Sequence, residues 1–484
     1  MNNCTFTTNH VNQYGGGMMN YRSNPILTNC IFIGNSAVQE LYYDRGEGGG
    51  MFNRSHSEPR LTNCSFIGNL AGRGGAMYNK EFSSPTLIKC TLNKNRASDI
   101  AGGMYNDNNS NPTLVDCILI GNSSANDAGG MINFHYASPK LTNCMFIKNT
   151  TRKVGGGLYN RIYSNPYVTN CSFIGNSSNK GGGIANDNSR PVVTNCTFIG
   201  NLANESGGGM YSDLSSPMVI NCTFNSNQAI QGGGIHNHNK ASPRVTNCIL
   251  WGNIASSGPQ VFNDEISSVT VSCCNVQEGY PGTGNISVDP MFVDANGPDD
   301  IVATMDDNLR LSFGSPCIDV GDNQFLLTDA TDLDADGDIA ELIPMDRGSK
   351  PRIVNDVIDM GAYEWTPIQP QVGGFAKVFA PVDLDQVDAD FAADTTILDP
   401  NTDDTYINFW KWSNIEFNRP HDVVIDPSGD VYVMDNWNHC IQKLGPDGHF
   451  LMKWGTVGKR QRCEQWYKLD RRLYQSTGCT NYRL

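Results

Sequence analysis

Apolar residues along the first half of the chain come in bursts of two or three, each closed by a turn residue, and the bursts themselves recur. Cys marks the period: Cys4, Cys30, Cys64, Cys90, Cys117, Cys144, Cys171, Cys196, Cys222 and Cys248 are separated by 26, 34, 26, 27, 27, 27, 25, 26 and 26 residues. Pro stands five residues before each marker from Pro25 to Pro243, Phe or Leu two after it, and Asn five after it from Asn9 to Asn253. Between them lies a block of three Gly, or of two Gly and one Ala, that leads into Met18, Met51, Met77, Met104, Met131, Leu158, Ile184, Met210 or Ile235. Each unit thus holds three apolar pieces, such as Pro166-Tyr-Val-Thr-Asn170, Cys171-Ser-Phe-Ile-Gly-Asn176 and Gly155-Gly-Gly-Leu-Tyr-Asn160. The pattern predicts three strands and three turns per unit. Paired or tripled Gly and a Pro in the repeating unit exclude a helical repeat, and a propeller blade needs four strands and about 40 residues.

Coiling such units stacks equivalent strands about 4.8 Å apart, so that identical residues form ladders along the axis. The expected fold is all-β: a right-handed parallel β-helix solenoid of about ten rungs over residues 1–275. Cys and the Phe two positions on share a strand face and fill the interior. Asn suits left-handed turns and can bridge its neighbours above and below, and Gly admits close backbone approach. No Cys pair has zinc spacing. Disulfides between stacked rungs are conceivable, but small buried free thiols that only pack are the expectation.

Composition adds exclusions. With 484 residues the chain exceeds one ordinary core, and 50 Gly with 17% charged residues point to a repeat rather than a compact enzyme. A net charge of −15 argues against nucleic acid and anionic membranes as main partners. No apolar run reaches the roughly 20 residues of a membrane span, and the N-terminus lacks a signal-peptide pattern. Met1 falls inside a rung, so the sequence reads as a fragment of a longer, extracellular or cell-surface protein and as a monomer.

The runs Phe32-Ile-Gly-Asn35 and Phe173-Ile-Gly-Asn176, with Gly48-Gly-Gly-Met51 and Gly181-Gly-Gly-Ile184, resemble the polymorphic outer membrane protein repeat with its FxxN and GGA(I/L/V) motifs. They also resemble the broader pectate-lyase-like β-helix families of bacterial surface proteins. The first resemblance implies adhesion. The second admits a polysaccharide lyase or glycoside hydrolase, although no polygalacturonase-like Gly-His-Gly or Arg-Ile-Lys motif is present. Residues 276–366 contain Asn285-Ile-Ser-Val-Asp-Pro-Met-Phe-Val-Asp294, Leu311-Ser-Phe-Gly-Ser-Pro-Cys-Ile-Asp-Val-Gly321 and Asp359-Met-Gly-Ala-Tyr-Glu-Trp365, similar to a choice-of-anchor Q domain. That likeness implies secretion and attachment, and physically the segment is expected to cap the open C-terminal end of the solenoid. After a linker at 367–415, residues 416–458 resemble a single NHL repeat, one propeller blade, which as part of a complete propeller would recognise proteins. The basic tail 459–484 (Lys459, Arg460, Arg462, Arg471, Arg472) has no fold expectation and suggests truncation or a shifted frame.

Three constellations could carry chemistry. The run Asp332-Leu-Asp334-Ala-Asp336-Gly-Asp338 is a DxDxDG loop whose alternating carboxylates can wrap Ca²⁺, against the plain reading of a solvated acidic loop. A full EF-hand has Glu at position twelve; Ile343 stands there, with Glu341 two residues early. The long interval projects Tyr42, Tyr43, Asp44 and Arg45, suited to sugar stacking or simply packed on the wall. Finally, Asp187, Asp213 and His238 occupy one ladder position on successive rungs, near enough for an acid pair or a cation. The same position elsewhere holds Tyr21, Arg54, Lys80, Asp107, Phe134 and Arg161, the variety of a solvated face. The partner expected is an extracellular glycan or a cell-surface protein.

Overall fold

The computed structural model describes residues 1–38 and 46–366, and beyond them the backbone of five strands within residues 420–483. The chain forms two compact units, Met1–Thr366 and Pro367–Leu484.

The first unit is a parallel β-solenoid of about ten turns. Its strands form four parallel sheets of eleven, eight, ten and ten strands; three of them run from rung to rung in strict register, and the eight-stranded one shifts register at two pairings. Leu27 pairs with Leu61, Phe32 with Phe66, and Met51 with Met77. The three expected strands of a rung are present as, for example, Tyr167–Thr169, Ser172–Ile174 and Leu158–Arg161. A fourth corrects the count of three: short strands after the Asn, from His10–Val11 and Ser36–Ala37 to Leu202–Ser206, form the eight-stranded sheet. These strands show one small residue to the interior, such as Ala37, Ala71 or Ala97, so they lack the apolar burst that marks the others.

One rung buries Leu27, Cys30, Phe32, Ala37 and Met51 completely. The Phe rings stack along the axis, Phe198 lying 5.0 Å from Phe173 and 4.2 Å from Phe224 with near-parallel planes. The ladder cysteines are free thiols, each donating to the carbonyl two residues back, as Cys171 does to Thr169 at 3.3 Å. Burial pushes the Cys144 thiol well above its usual range, which suppresses thiolate chemistry.

Two sets of asparagines divide the roles that the repeat suggested for one. The Asn five after Cys points inward, where Asn149 Nδ2 donates to Asn176 Oδ1 at 3.0 Å and to Leu119 O at 2.8 Å. The left-handed turn falls to the residue just before Cys, usually Asn, as at Asn170 (φ 54°) and Asn195 (φ 52°). The central glycines are sterically required: a Cβ on Gly49 would sit 2.3 Å from Gly75 O on the next rung.

Residues 276–286 close the C-terminal end, with Tyr280 packed on the core and Val276 N–H bonded to Ile286 O at 2.9 Å. The rest of the expected cap runs back along the outside of the solenoid instead. The reason is apolar surface: outward Ile147, Ile174 and Ile199 form a stripe that Leu309, Phe292, Ala303 and Tyr363 cover. Polar contacts fix it, among them Asn170 Nδ2 to Asp346 O at 2.9 Å, Arg347 Nη2 to Ser172 Oγ at 2.9 Å and Ala362 N–H to Thr223 Oγ1 at 3.0 Å.

In the second unit, Pro420–Ile425, Val431–Asp435, Cys440–Leu444 and Phe450–Trp454 form an antiparallel meander. Asn481–Arg483, from the tail without a fold expectation, pairs with the first of them. No helix of the described residues is long and apolar enough to cross a membrane.

Candidate ligand-binding wall

Strands that follow the glycine block turn alternate residues in and out. Along Ile184–Asp187, Ile184 and Asn186 face the interior, while Ala185 and Asp187 face away from it. In-register pairing makes two outer columns. One is largely aromatic: Phe52, Tyr78, Tyr105, Ile132, Tyr159, Ala185, Tyr211, His236 and Phe262. The other is the variable column of Arg54, Lys80, Arg161, Asp187, Asp213 and His238. A third column on the opposite flank, including Glu47, Arg73, Ile100, Asp127, Val154 and Lys180, is tied together by single bridges and by the second sheet's bulges. The two flanking columns shelter the aromatic one, whose Tyr78, Tyr105 and Ile132 are buried with Ala101 and Ala128.

The aromatic column is broken at Ala185, which pairs with Tyr159 below and Tyr211 above. Ala185 itself is fully buried, and beside it lies a hollow of about 110 Å³ bounded by Val154, Tyr159, Lys180, Asn186, Asp187, Tyr211 and Asp213. Its two tyrosines stand two rungs apart, roughly 10 Å. Tyr159 OH donates to Asp187 Oδ2 and Tyr211 OH to Asp213 Oδ2, both at 3.4 Å. Arg161 Nε holds the same Asp187 oxygen at 3.1 Å, and Asn239 Nδ2 donates to Asp213 Oδ1 at 3.1 Å. Lys180 Nζ lies 5.5 Å from the centre of the Tyr211 ring. Burial first, then the neighbouring carboxylates, pushes both phenols up, so both stay protonated donors.

Of the three residues expected in a row, Asp187 and Asp213 therefore meet at one hollow. His238 is turned aside: its Nδ1 lies 2.9 Å from Asp264 Oδ2. Burial alone would raise the Asp264 pKa, but Ser267, the backbone N–H groups of Asn239 and Ile266, and His238 together bring it down to about 2. The sequence reading passed over Tyr159, Lys180 and Tyr211, and the signal available was the single Ala in a column otherwise of large residues, mostly aromatic.

It also passed over His236, which is 3% exposed between the rings of Tyr211 (5.3 Å) and Phe262 (4.9 Å). Burial lowers its pKa to about 4, an effect that the Gln231 backbone and Asp264 oppose and that His238 and Lys180 reinforce. The unfolded chain then binds the proton first as pH falls, so stability is full above about 6.5 and lost toward pH 4. The cost at pH 4 is expected to reach about 3 kcal/mol. Urea midpoints at pH 7 and pH 4 check this: His236→Phe should flatten the difference, and an undiminished acid sensitivity would refute the assignment.

A wider hollow of about 400 Å³ between Leu202, Gln228, Ile230 and Ile254 has no titratable group on its lining and offers less chemistry. In the acidic loop, carboxylate oxygens of Asp332, Asp334 and Asp336 lie within 4.8 Å of one another, and so do those of Asp329, Asp334 and Glu341. Asp329 and Glu341 thus extend the expected set. Asp338 stands apart from both groups, its Oδ1 accepting from Ala340 N–H at 2.9 Å. Tyr42, Tyr43, Asp44 and Arg45 lie outside the described residues.

An NHL repeat profile matches residues 417–444. Neither a curated protein nor a solved structure matches the chain. The profile of the right handed beta helix region matches residues 1–151 and 126–276, more than half the chain and the same span that the parallel ladders occupy. The chain belongs to the right-handed β-helix family.

Proposed function

We propose that the chain is an extracellular or cell-surface scaffold that binds glycan on its glycine-side wall, with the hollow at Ala185 as the seat of one sugar ring. The observation that carries this reading is the interrupted aromatic column. Beside the break lies a hollow lined by Tyr159 and Tyr211, with carboxylates and an ammonium at its edge to receive hydroxyl groups. A lyase or hydrolase using the same wall is the weaker reading. Asp187 is paired with Arg161, and both acids accept hydrogen bonds from phenols, which occupies oxygens that a general acid or base would need for substrate. The loop of Asp332, Asp334 and Asp336, with Asp329 and Glu341, is proposed as a Ca²⁺ site on the hardness of its oxygen donors.

One calorimetric series tests both parts, with Ca²⁺ alone titrated first and a panel of neutral and acidic polysaccharides afterwards, while reducing ends and unsaturated products are assayed. Saccharide binding without turnover is expected. Ala185→Tyr, which puts a ring at this position of the column, should weaken binding tenfold or more, about 1.4 kcal/mol, with its melting temperature followed alongside because Ala185 is buried. Turnover lost in Asp187→Ala or Asp213→Ala would establish the enzyme reading instead. Absence of heat with millimolar Ca²⁺ would end the cation assignment.

A further inference from the structure

The turns after five successive glycine-side strands carry another, mostly aromatic column, separate from the sheltered one and open to solvent. Backbone bonds run through it from rung to rung: His56 N–H to Glu81 O at 3.0 Å, Phe82 to Asn108 at 3.0 Å, Asn109 to His135 at 3.1 Å and Tyr136 to Ile162 at 3.0 Å. His56, Phe82, Asn109, Tyr136 and Tyr163 are thereby stacked in one file. All five have left-handed backbones, with φ of 63°, 61°, 57°, 64° and 59°.

Neither the turn nor the core calls for aromatics here. Asn109 makes the same turn, as does Lys240 with φ 65°, and a bulky ring in this conformation is uncommon. Phe82, Tyr136 and Tyr163 remain 47%, 52% and 50% exposed. The rings form two stacked pairs, His56 on Phe82 at 5.1 Å and Tyr136 on Tyr163 at 5.4 Å. Between the pairs lies the rung of Asn109, which leaves an open slot two rungs deep, roughly 10 Å, from Phe82 to Tyr136. Around it are the exposed amide of Asn108, the half-exposed amide of Asn109, and His135 Nδ1 at 3.1 Å from Asp107 Oδ1.

We propose that the slot at Asn109 is a second saccharide subsite, which takes a hexopyranose ring of a neutral glycan between Phe82 and Tyr136. An occupant must show apolar faces to both sides and hydrogen-bonding groups around its rim, and must be thicker than a flat arene to touch both walls. A pyranose ring has these properties: its axial hydrogens face the aromatic rings and its equatorial hydroxyls face the amides. The ligand class rests on the glycan reading above; the site does not. Asn109 and Ala185 are three rungs apart, roughly 14 Å along the axis, so one polysaccharide strand can engage both and bind more tightly than a short oligomer.

The probes are neutral hexasaccharides of β-1,4-glucan, β-1,3-glucan, α-1,6-glucan and β-1,4-mannan, titrated into the full chain by calorimetry. Phe82→Asn and Tyr136→Asn suit the left-handed turn and should leave the melting temperature unchanged. Each is expected to weaken binding at least tenfold, and Asn109→Tyr, which fills the slot, to do the same. Unchanged affinity in all three, with loss only in Ala185→Tyr, would overturn the slot and leave the hollow standing. Absence of binding by the unsubstituted chain to all four probes would overturn both.

Discussion

Replacing Asn149 with Leu is expected to cost about 3–5 kcal/mol of local stability, though the side chain touches no candidate site. Asn149 is fully buried. Its Oδ1 accepts both the backbone N–H of Asn122 at 3.0 Å and Asn122 Nδ2 at 2.9 Å, while its Nδ2 serves Asn176 and Leu119. Leu would leave the Asn122 backbone N–H without a partner in an interior that admits no replacement, and would strip one donor each from Leu119 O and Asn176 Oδ1. Unmet buried donors cost about 1–3 kcal/mol each. A solenoid couples mainly to nearest neighbours, so the loss should be local. Hydrogen exchange is the right probe: protection should fall at residues 119–123 and 149–150 and persist several rungs away. A change below about 1 kcal/mol would mean that the ladder fills space without holding the rungs together.

Arg352→Met is expected to be as damaging, at about 3–5 kcal/mol, and to act on the segment laid along the outer wall. Arg352 and Glu364 are both fully buried, with Nε 3.3 Å from Oε1. Arg352 Nη2 also donates to the carbonyls of Asp359 and Gly361 at 2.9 and 3.1 Å, which holds the turn that delivers Gly361 and Ala362 to the solenoid. Methionine would leave the Glu364 carboxyl group without its guanidinium partner and the Asp359 and Gly361 carbonyls without their donor. Burial already lifts the Glu364 pKa to about 8, with Arg352 opposing and Asp359 reinforcing the shift. The folded state therefore holds this proton more tightly than the unfolded one, so the group's contribution falls as pH rises from the ordinary carboxylate range toward 8. The Arg352→Met defect should accordingly be smaller at pH 5 than at pH 8, and Arg352→Met with Glu364→Gln should recover most of it. Limited proteolysis within residues 319–365, with melting at both pH values, reads both outcomes; equal loss at each pH would show Glu364 to be neutral throughout.

Periodicity made the solenoid legible because each ladder repeats one residue choice under one packing constraint. Cys30, Phe32 and Met51 are the residues a pattern reader finds, and they are the ones fully buried. The fourth strand escaped because its inward position is small and varies among Ala37, Ser124 and Thr151. The route of residues 290–366 escaped for a different reason. Nothing in Ile147, Ile174 or Ile199 says whether an outward apolar stripe is covered, or by which segment. Asp187 and Asp213 were legible as ladder neighbours, but their value depends on the gap beside them. That gap is visible only once Ala185 is seen to stand where its neighbours put tyrosine. The exposed file from His56 to Tyr163 was illegible because its common property is a backbone angle, shared by residues as unlike as Phe82 and Asn109.

The proposed glycan-binding wall is tested most directly by a crystal of the chain soaked with an oligosaccharide that it binds in solution. A sugar ring between Tyr159 and Tyr211, with hydroxyls within hydrogen-bonding distance of Asp187 and Asp213, is the predicted result. Saccharide bound only away from the glycine-side strands and their turns, with the Ala185 hollow empty, would contradict it.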